Sequence, residues 1–208
     1  MYKVLCYGDS NTWGCRPGTQ KRFERERRWP VVMEKELKED YVVIEEGLNG
    51  RTTVWEDPIE GYKSGKNYLL PCLESHKPLD LIIIMLGTND LKARFSVTAY
   101  DVAEGAGTLV DIVSKSETGR EERSPEVLLI APPPIAELSE YEDIFRGARQ
   151  KSRKLAEEFR RISGEKNCNL LDAGQHIESS NKDGIHLEGS EQKELGLAVA
   201  EKVLNLRS

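Results

Sequence analysis

Short segments far apart in the chain carry side chains capable of acyl transfer. Gly8-Asp9-Ser10 follows a short apolar, β-branched run, Lys3 to Tyr7. A serine at the turn after a buried strand can present its hydroxyl as a nucleophile and its backbone N–H to a bound oxygen, although serine after Gly-Asp also serves simply to cap a turn. Near the other end, Asp183-Gly184-Ile185-His186 places a carboxylate three residues before an imidazole. That spacing lets Asp183 orient Nδ1–H while Nε2 of His186 faces a serine hydroxyl, though Asp-x-x-His pairs also arise by chance. An ester carbonyl under attack further needs donors for its oxyanion. The backbone N–H groups of Ser10 and Gly50 and the Asn89 side-chain amide can supply them, and loss of one such donor lowers rates by on the order of 10²–10³. The rivals read as structure: His76 and His176 as surface or loop histidines, Asp172 as a cap, and Cys15, with no base assigned to it, as pocket lining.

These residues need a fold that gathers them. Apolar runs predict strands at Lys3–Tyr7, Tyr41–Ile44, Leu79–Leu86, Val127–Ala131 and Asn169–Leu171. Helical spacing predicts helices over Trp29–Glu39, Lys66–Ser75 with a disruptive Pro71, Thr98–Ser116 and Tyr141–Ile162, and a last one capped by Ser190 and running to about Leu206. Strands alternating with helices, without hairpin signals, indicate a three-layer α/β/α sandwich on a parallel sheet, read as one domain over residues 1–208. In the flavodoxin-like order 2-1-3-4-5, strands one and three meet at the switch point where such sheets bind ligands. Ser10, Gly50 and Asn89 then fall in loops that converge there.

Gly8-Asp9-Ser10, Gly50, Gly87-x-Asn89-Asp90 and Asp183-x-x-His186 occur in the order of the blocks of the SGNH hydrolases, or GDSL esterases, and the chain resembles that family throughout its length. The strings Leu5-Cys6-Tyr7-Gly8-Asp9-Ser10-Asn11-Thr12-Trp13-Gly14, Glu45 to Thr53 and Met85 to Asp90 are similar to its arylesterase and acyltransferase branch, typified by a mycobacterial acyltransferase. The resemblance implies Ser10 as nucleophile, Asp183 and His186 as its triad partners, and Ser10, Gly50 and Asn89 as the oxyanion hole. It also implies an acyl pocket lined by Thr88, Lys92, Phe145 and Ile185, small enough to favour acetate esters. That acyltransferase has a leucine and a tryptophan where this chain has Asn11 and Cys15. Both exchanges are expected to make the surroundings of the nucleophile roomier and more polar, favouring hydrolysis over transfer to alcohols. A carbohydrate O-acetyl esterase and a non-catalytic binding module on the same fold are the competing expectations, and relatives of this kind imply a homo-oligomer.

Composition narrows the remaining classes. Of 208 residues, 38% are hydrophobic and 32% charged, with a net charge of −6, which disfavours a nucleic-acid binder dependent on a basic face. No apolar run approaches the ~20 residues of a membrane helix. The start lacks a secretory signal pattern, and Cys6, Cys15, Cys72 and Cys168 form no C-x-x-C pair. A cytoplasmic protein with reduced thiols is expected, without a zinc site or an organic cofactor. Gly61-Tyr62-Lys63-Ser64-Gly65-Lys66-Asn67 fails as a phosphate loop, being one residue short between its glycines and lacking Ser or Thr after the lysine. The stretch Lys21–Arg28, with five basic and two acidic residues, reads as a solvated loop or a subunit contact.

Overall fold

The computed structural model describes residues 1–207. Among them the strands β1 (Tyr2–Gly8), β2 (Tyr41–Gly47), β3 (Leu81–Met85), β4 (Glu126–Ala131) and β5 (Asn169–Asp172) form a parallel sheet in the order β2-β1-β3-β4-β5. The register sets Gly8 beside Gly47 of β2 and Met85 of β3, so the loops after the first three strands leave the sheet side by side. This is the expected order, with the switch point between β1 and β3.

All of β3 is buried, which requires cover on both faces. On one face Leu5, Tyr7, Ile82, Ile84 and Leu129 pack with α3 (Gly65–His76), α4 (Ala99–Ser114) and α6 (Leu155–Glu165). On the other, Val4, Cys6, Leu81, Ile83 and Leu128 pack with α2 (Trp29–Leu37) and α7 (Gly189–Leu206). Two short helices complete the set, α1 (Ser10–Trp13) and α5 (Ala148–Ser152). Among the described residues no helix is long and apolar enough to cross a membrane.

Several elements depart from the sequence expectations. Pro71 lies inside α3, on its exposed side, while Leu69, Cys72 and Leu73 bury themselves against the sheet, and that packing outweighs the lost backbone bond. The single helix expected over Tyr141–Ile162 is instead a run of turns over 141–147 followed by α5 and α6. The Ile144 carbonyl accepts a bond from the Ala93 N–H at 2.7 Å, and Gly147 takes a left-handed φ of 79°, so the chain coils toward the cleft before turning helical. Ser152 ends α5 by donating to the Arg149 carbonyl and accepting from the Ile135 N–H, a local competition that breaks the helix. Ser190 does not cap α7. The helix starts at Gly189, with Glu188, two residues before Ser190, at the N-cap position and its carboxylate taken up by Ser180 and Lys182.

Candidate active site

Ser10 opens α1 directly beyond the carboxyl end of β1. The cap of this short helix is Asp9, whose Oδ1 accepts from the Asn11 N–H at 2.9 Å. The Ser10 hydroxyl is therefore not spent on capping and lies 3.1 Å from His186 Nε2. Asn11 ties the two ends of the chain together: its amide donates to the Ile185 carbonyl, its side-chain oxygen accepts from the Leu187 N–H, and its own carbonyl accepts from Gln192. Its polarity is consumed in this clamp and it does not line the cavity over Ser10, so the expectation that Asn11 makes the pocket more polar is corrected.

Asp183 is fully buried and accepts four hydrogen bonds. Oδ1 takes the backbone N–H groups of Ile185 (3.0 Å) and His186 (2.9 Å), and Oδ2 takes His186 Nδ1 (2.8 Å) and the Gly18 N–H (2.8 Å). Burial by itself raises the carboxyl pKa, but these donors outweigh it and hold Asp183 well below the ordinary range. Burial likewise disfavours charge on His186, yet the Asp183 bond and the neighbouring Cys15 hold its pKa above the ordinary 6.5. Gly184 makes the tight loop possible. It adopts φ 81°, and a Cβ there would stand 2.6 Å from the Glu137 carbonyl oxygen. The Tyr141 ring meets His186 edge-on at 6.3 Å.

The donors expected for an oxyanion converge on the same place. The backbone N–H groups of Ser10 and Gly50 have no intramolecular acceptor among the described residues. Gly50 has φ 79°, where a Cβ would meet Glu60 Oε2 at 2.5 Å. The Asn89 amide donates to the Arg51 carbonyl at 3.1 Å and approaches Asp9 Oδ2 at 3.4 Å. The loop is braced by Arg51, which donates to the carbonyls of Gly8 and Glu46, and by Asp90, which accepts from the Thr53 N–H and hydroxyl. Burial pushes the Asp90 carboxyl up to about 6 against the Thr53 bonds that lower it, and burial likewise raises Asp9 to about 6. Arg51 and the Thr53–Asp90 pair were not singled out from sequence, although they sit within the second and third motifs.

A cavity of about 290 Å³ opens over Ser10 and His186. Cys15, Gly50, Asn89, Lys92, Phe145 and Ile185 line it, joined by Gln20, Asn49, Glu60, Tyr141 and Ile144, which sequence reasoning missed because they come from irregular loops. Thr88 does not line it: it is buried at the head of the Asn89–Leu91 turn. Buried Lys92 is 3.1 Å from Asp57 and also bonds Glu60, and Arg94 joins both carboxylates, so the charge in the wall is paired. The rivals lie elsewhere. His76 bonds Glu46, His176 is exposed, and Asp172 caps the turn after β5 by accepting from the Gly174 N–H.

Comparison with known proteins gives a consistent picture. The profile of the GDSL-like lipase/acylhydrolase family matches residues 6–190. The chain is 40% identical to the native aryl esterase of M. smegmatis, with a TM-score of 0.95 over 99% of this chain and 100% of that one. It is also 40% identical to a carbohydrate acetylesterase from Sinorhizobium meliloti, with a TM-score of 0.96 and the same coverage. A lipolytic G-D-S-L protein from Veillonella parvula, at 15% identity and a TM-score of 0.68, shares the fold. The comparison with curated proteins yields no match.

Proposed function

The chain belongs to the GDSL-like lipase/acylhydrolase family and is a carboxylic ester hydrolase, and from that premise we propose that it cleaves short-chain, acetyl-like esters, aryl esters included, with Ser10 as nucleophile. The observation that carries this reading is the unbroken relay from Asp183 Oδ2 through His186 to Ser10 Oγ, opening onto a cavity with two unengaged backbone donors. His186 Nε2 takes the Ser10 proton as Oγ attacks the ester carbonyl. The N–H groups of Ser10 and Gly50 hold the oxyanion, joined by the Asn89 N–H that rests 3.4 Å from Asp9 Oδ2 and turns to it, while the other stays on the Arg51 carbonyl. The imidazolium, stabilised by ionised Asp183, returns the proton to the departing alcohol or phenol. Water, deprotonated by the same ring, then releases the acid from Ser10. Every charge change is handled by protein groups, so these steps call for no cofactor.

The size of the cavity supports a small acyl group. The polar groups among its lining, Gln20, Asn49, Glu60 and Lys92, support water over alcohols as the usual acceptor, with transfer to alcohols a minor route. The same polar lining, with the likeness to a carbohydrate acetylesterase, supports O-acetylated sugars as a second substrate class. Hydrolysis of p-nitrophenyl esters of increasing acyl length, compared with acetate release from acetylated saccharides, tests the reading. Activity that peaks at acetate and disappears in Ser10→Ala is expected, whereas full activity in that variant refutes it. Exposed Leu48, Ile59, Tyr62 and Tyr68 support assembly into a homo-oligomer, to be tested by light scattering. The unpaired cysteines suit a reducing cytoplasmic setting.

A further inference from the structure

Outside the cleft, β2 and α3 bring together a carboxylate, a thiol and an imidazole. Cys72 and His76 are one turn apart on α3 and therefore share a face, and β2 carries Glu46 to the same spot. His76 Nε2 lies 2.8 Å from Glu46 Oε1, and the ligand atoms of Glu46, Cys72 and His76 all lie within 4.8 Å of one another. Cys72 is buried, while the side chains of His76 and Glu46 keep 30% and 21% of their surface exposed. The thiol thus forms the floor of the cluster and the other two its open rim. Lys3 Nζ donates to the His76 carbonyl at 3.2 Å, which fixes the end of α3 where the imidazole is attached.

We propose that Glu46, Cys72 and His76 bind a zinc ion, with water in the fourth position. The donor set carries the assignment: thiolate, imidazole and carboxylate are the three ligand types zinc accepts, and a soft sulfur ligand argues against magnesium or calcium. Tetrahedral zinc with bonds of roughly 2.0–2.3 Å separates the donor atoms of such a set by roughly 3.3–3.6 Å. The His76–Glu46 contact need open by only about 0.6 Å to reach that spacing, and the widest pair allowed by the cluster need close by little more than 1 Å, within the reach of side-chain rotation. On binding, Cys72 gives its proton to solvent, the Glu46–His76 hydrogen bond is replaced by bonds to the metal, and the two anionic ligands balance the ion's charge. The ion pins β2 to α3 and takes no part in ester cleavage, so the proposal stands independently of the esterase reading. Cysteine spacing pointed away from zinc because the ligands form no cysteine pair: one comes from a distant strand, and the other two form a Cys-x-x-x-His step on a helix.

The test is titration of chelator-treated protein with Co²⁺, followed by displacement with Zn²⁺. One saturable site is expected, with thiolate-to-cobalt charge transfer and the visible bands of tetrahedral cobalt, both lost on adding Zn²⁺. Loss of an outer-shell partner already weakens metal sites by roughly 10–100-fold, so His76→Ala and Glu46→Gln should each weaken binding by at least about 10-fold. At one Zn²⁺ concentration the Tm of the wild type should rise more than that of His76→Ala. Cys72→Ser should abolish the charge-transfer band, and should that variant not fold, the two rim variants decide the matter. Absence of a charge-transfer band in the wild type, or undiminished binding in both rim variants, overturns the proposal.

Discussion

Replacing Asp183 by Asn changes one atom and inverts the hydrogen-bonding logic of the site. Asp183 Oδ1 accepts two backbone N–H groups, from Ile185 and His186, so the amide of Asn must leave its oxygen there. Its NH₂ then occupies the Oδ2 position, 2.8 Å from His186 Nδ1 and 2.8 Å from the Gly18 N–H. Nδ1 is forced to accept, the ring proton moves to Nε2, and Nε2 at 3.1 Å from Ser10 Oγ can no longer take the serine proton. The opposite amide orientation is worse, because it sets NH₂ against two backbone donors, each clash costing about 1–3 kcal/mol. A wrongly held tautomer lowers turnover by on the order of 10⁴-fold, which corresponds to about 5.5 kcal/mol of transition-state stabilisation. Steady-state hydrolysis of p-nitrophenyl acetate by Asp183→Asn, with circular dichroism confirming the fold, measures this. A kcat within tenfold of the wild type would refute the assigned role of Asp183.

Further outcomes follow from the same geometry. Asn89→Ala should lower kcat by roughly 10²–10³ with little change in KM, since the oxyanion exists only beyond the ground state; a change confined to KM would contradict this. The neutral ring of His186 is the reactive form and its pKa is held above 6.5, so kcat/KM should climb with pH through a midpoint above 6.5. In Asp183→Ala one of the two raising partners is gone, Cys15 stays and burial still lowers the ring, so the midpoint of the residual activity should move to lower pH; a fixed midpoint would count against the coupling. Phe159 is fully buried and packs near Gly87 at the carboxyl end of β3, so Phe159→Ala should lose roughly 3–5 kcal/mol in denaturant unfolding.

The sheet was legible because its strands are short apolar runs stopped by glycine or charge, and β3, buried at every position, was the plainest of them. The Ser10–His186–Asp183 relay was legible in kind, since the spacing of Asp183 and His186 and the strand-end position of Ser10 both constrain geometry. What the sequence hid depends on tertiary partners. Asn11 looked like pocket lining until the loop it clamps was in place, and nothing local marks Gln192 as its counterpart. The segment 141–147 has helical spacing, but its carbonyl at Ile144 is drawn to Ala93, far away in sequence. Glu60 and Lys92 meet across the cavity wall from separate loops, a pairing that residue type and periodicity do not encode.

The central claim is that Ser10 carries the acyl group, and the most direct measurement is to catch it there. The protein is mixed with p-nitrophenyl acetate, quenched in acid within the first turnover and digested for mass spectrometry. One acetyl group per chain on Ser10, absent from Ser10→Ala, is the predicted result. Acetyl found on Cys15 instead, or release of p-nitrophenol by Ser10→Ala at the wild-type rate, would contradict it.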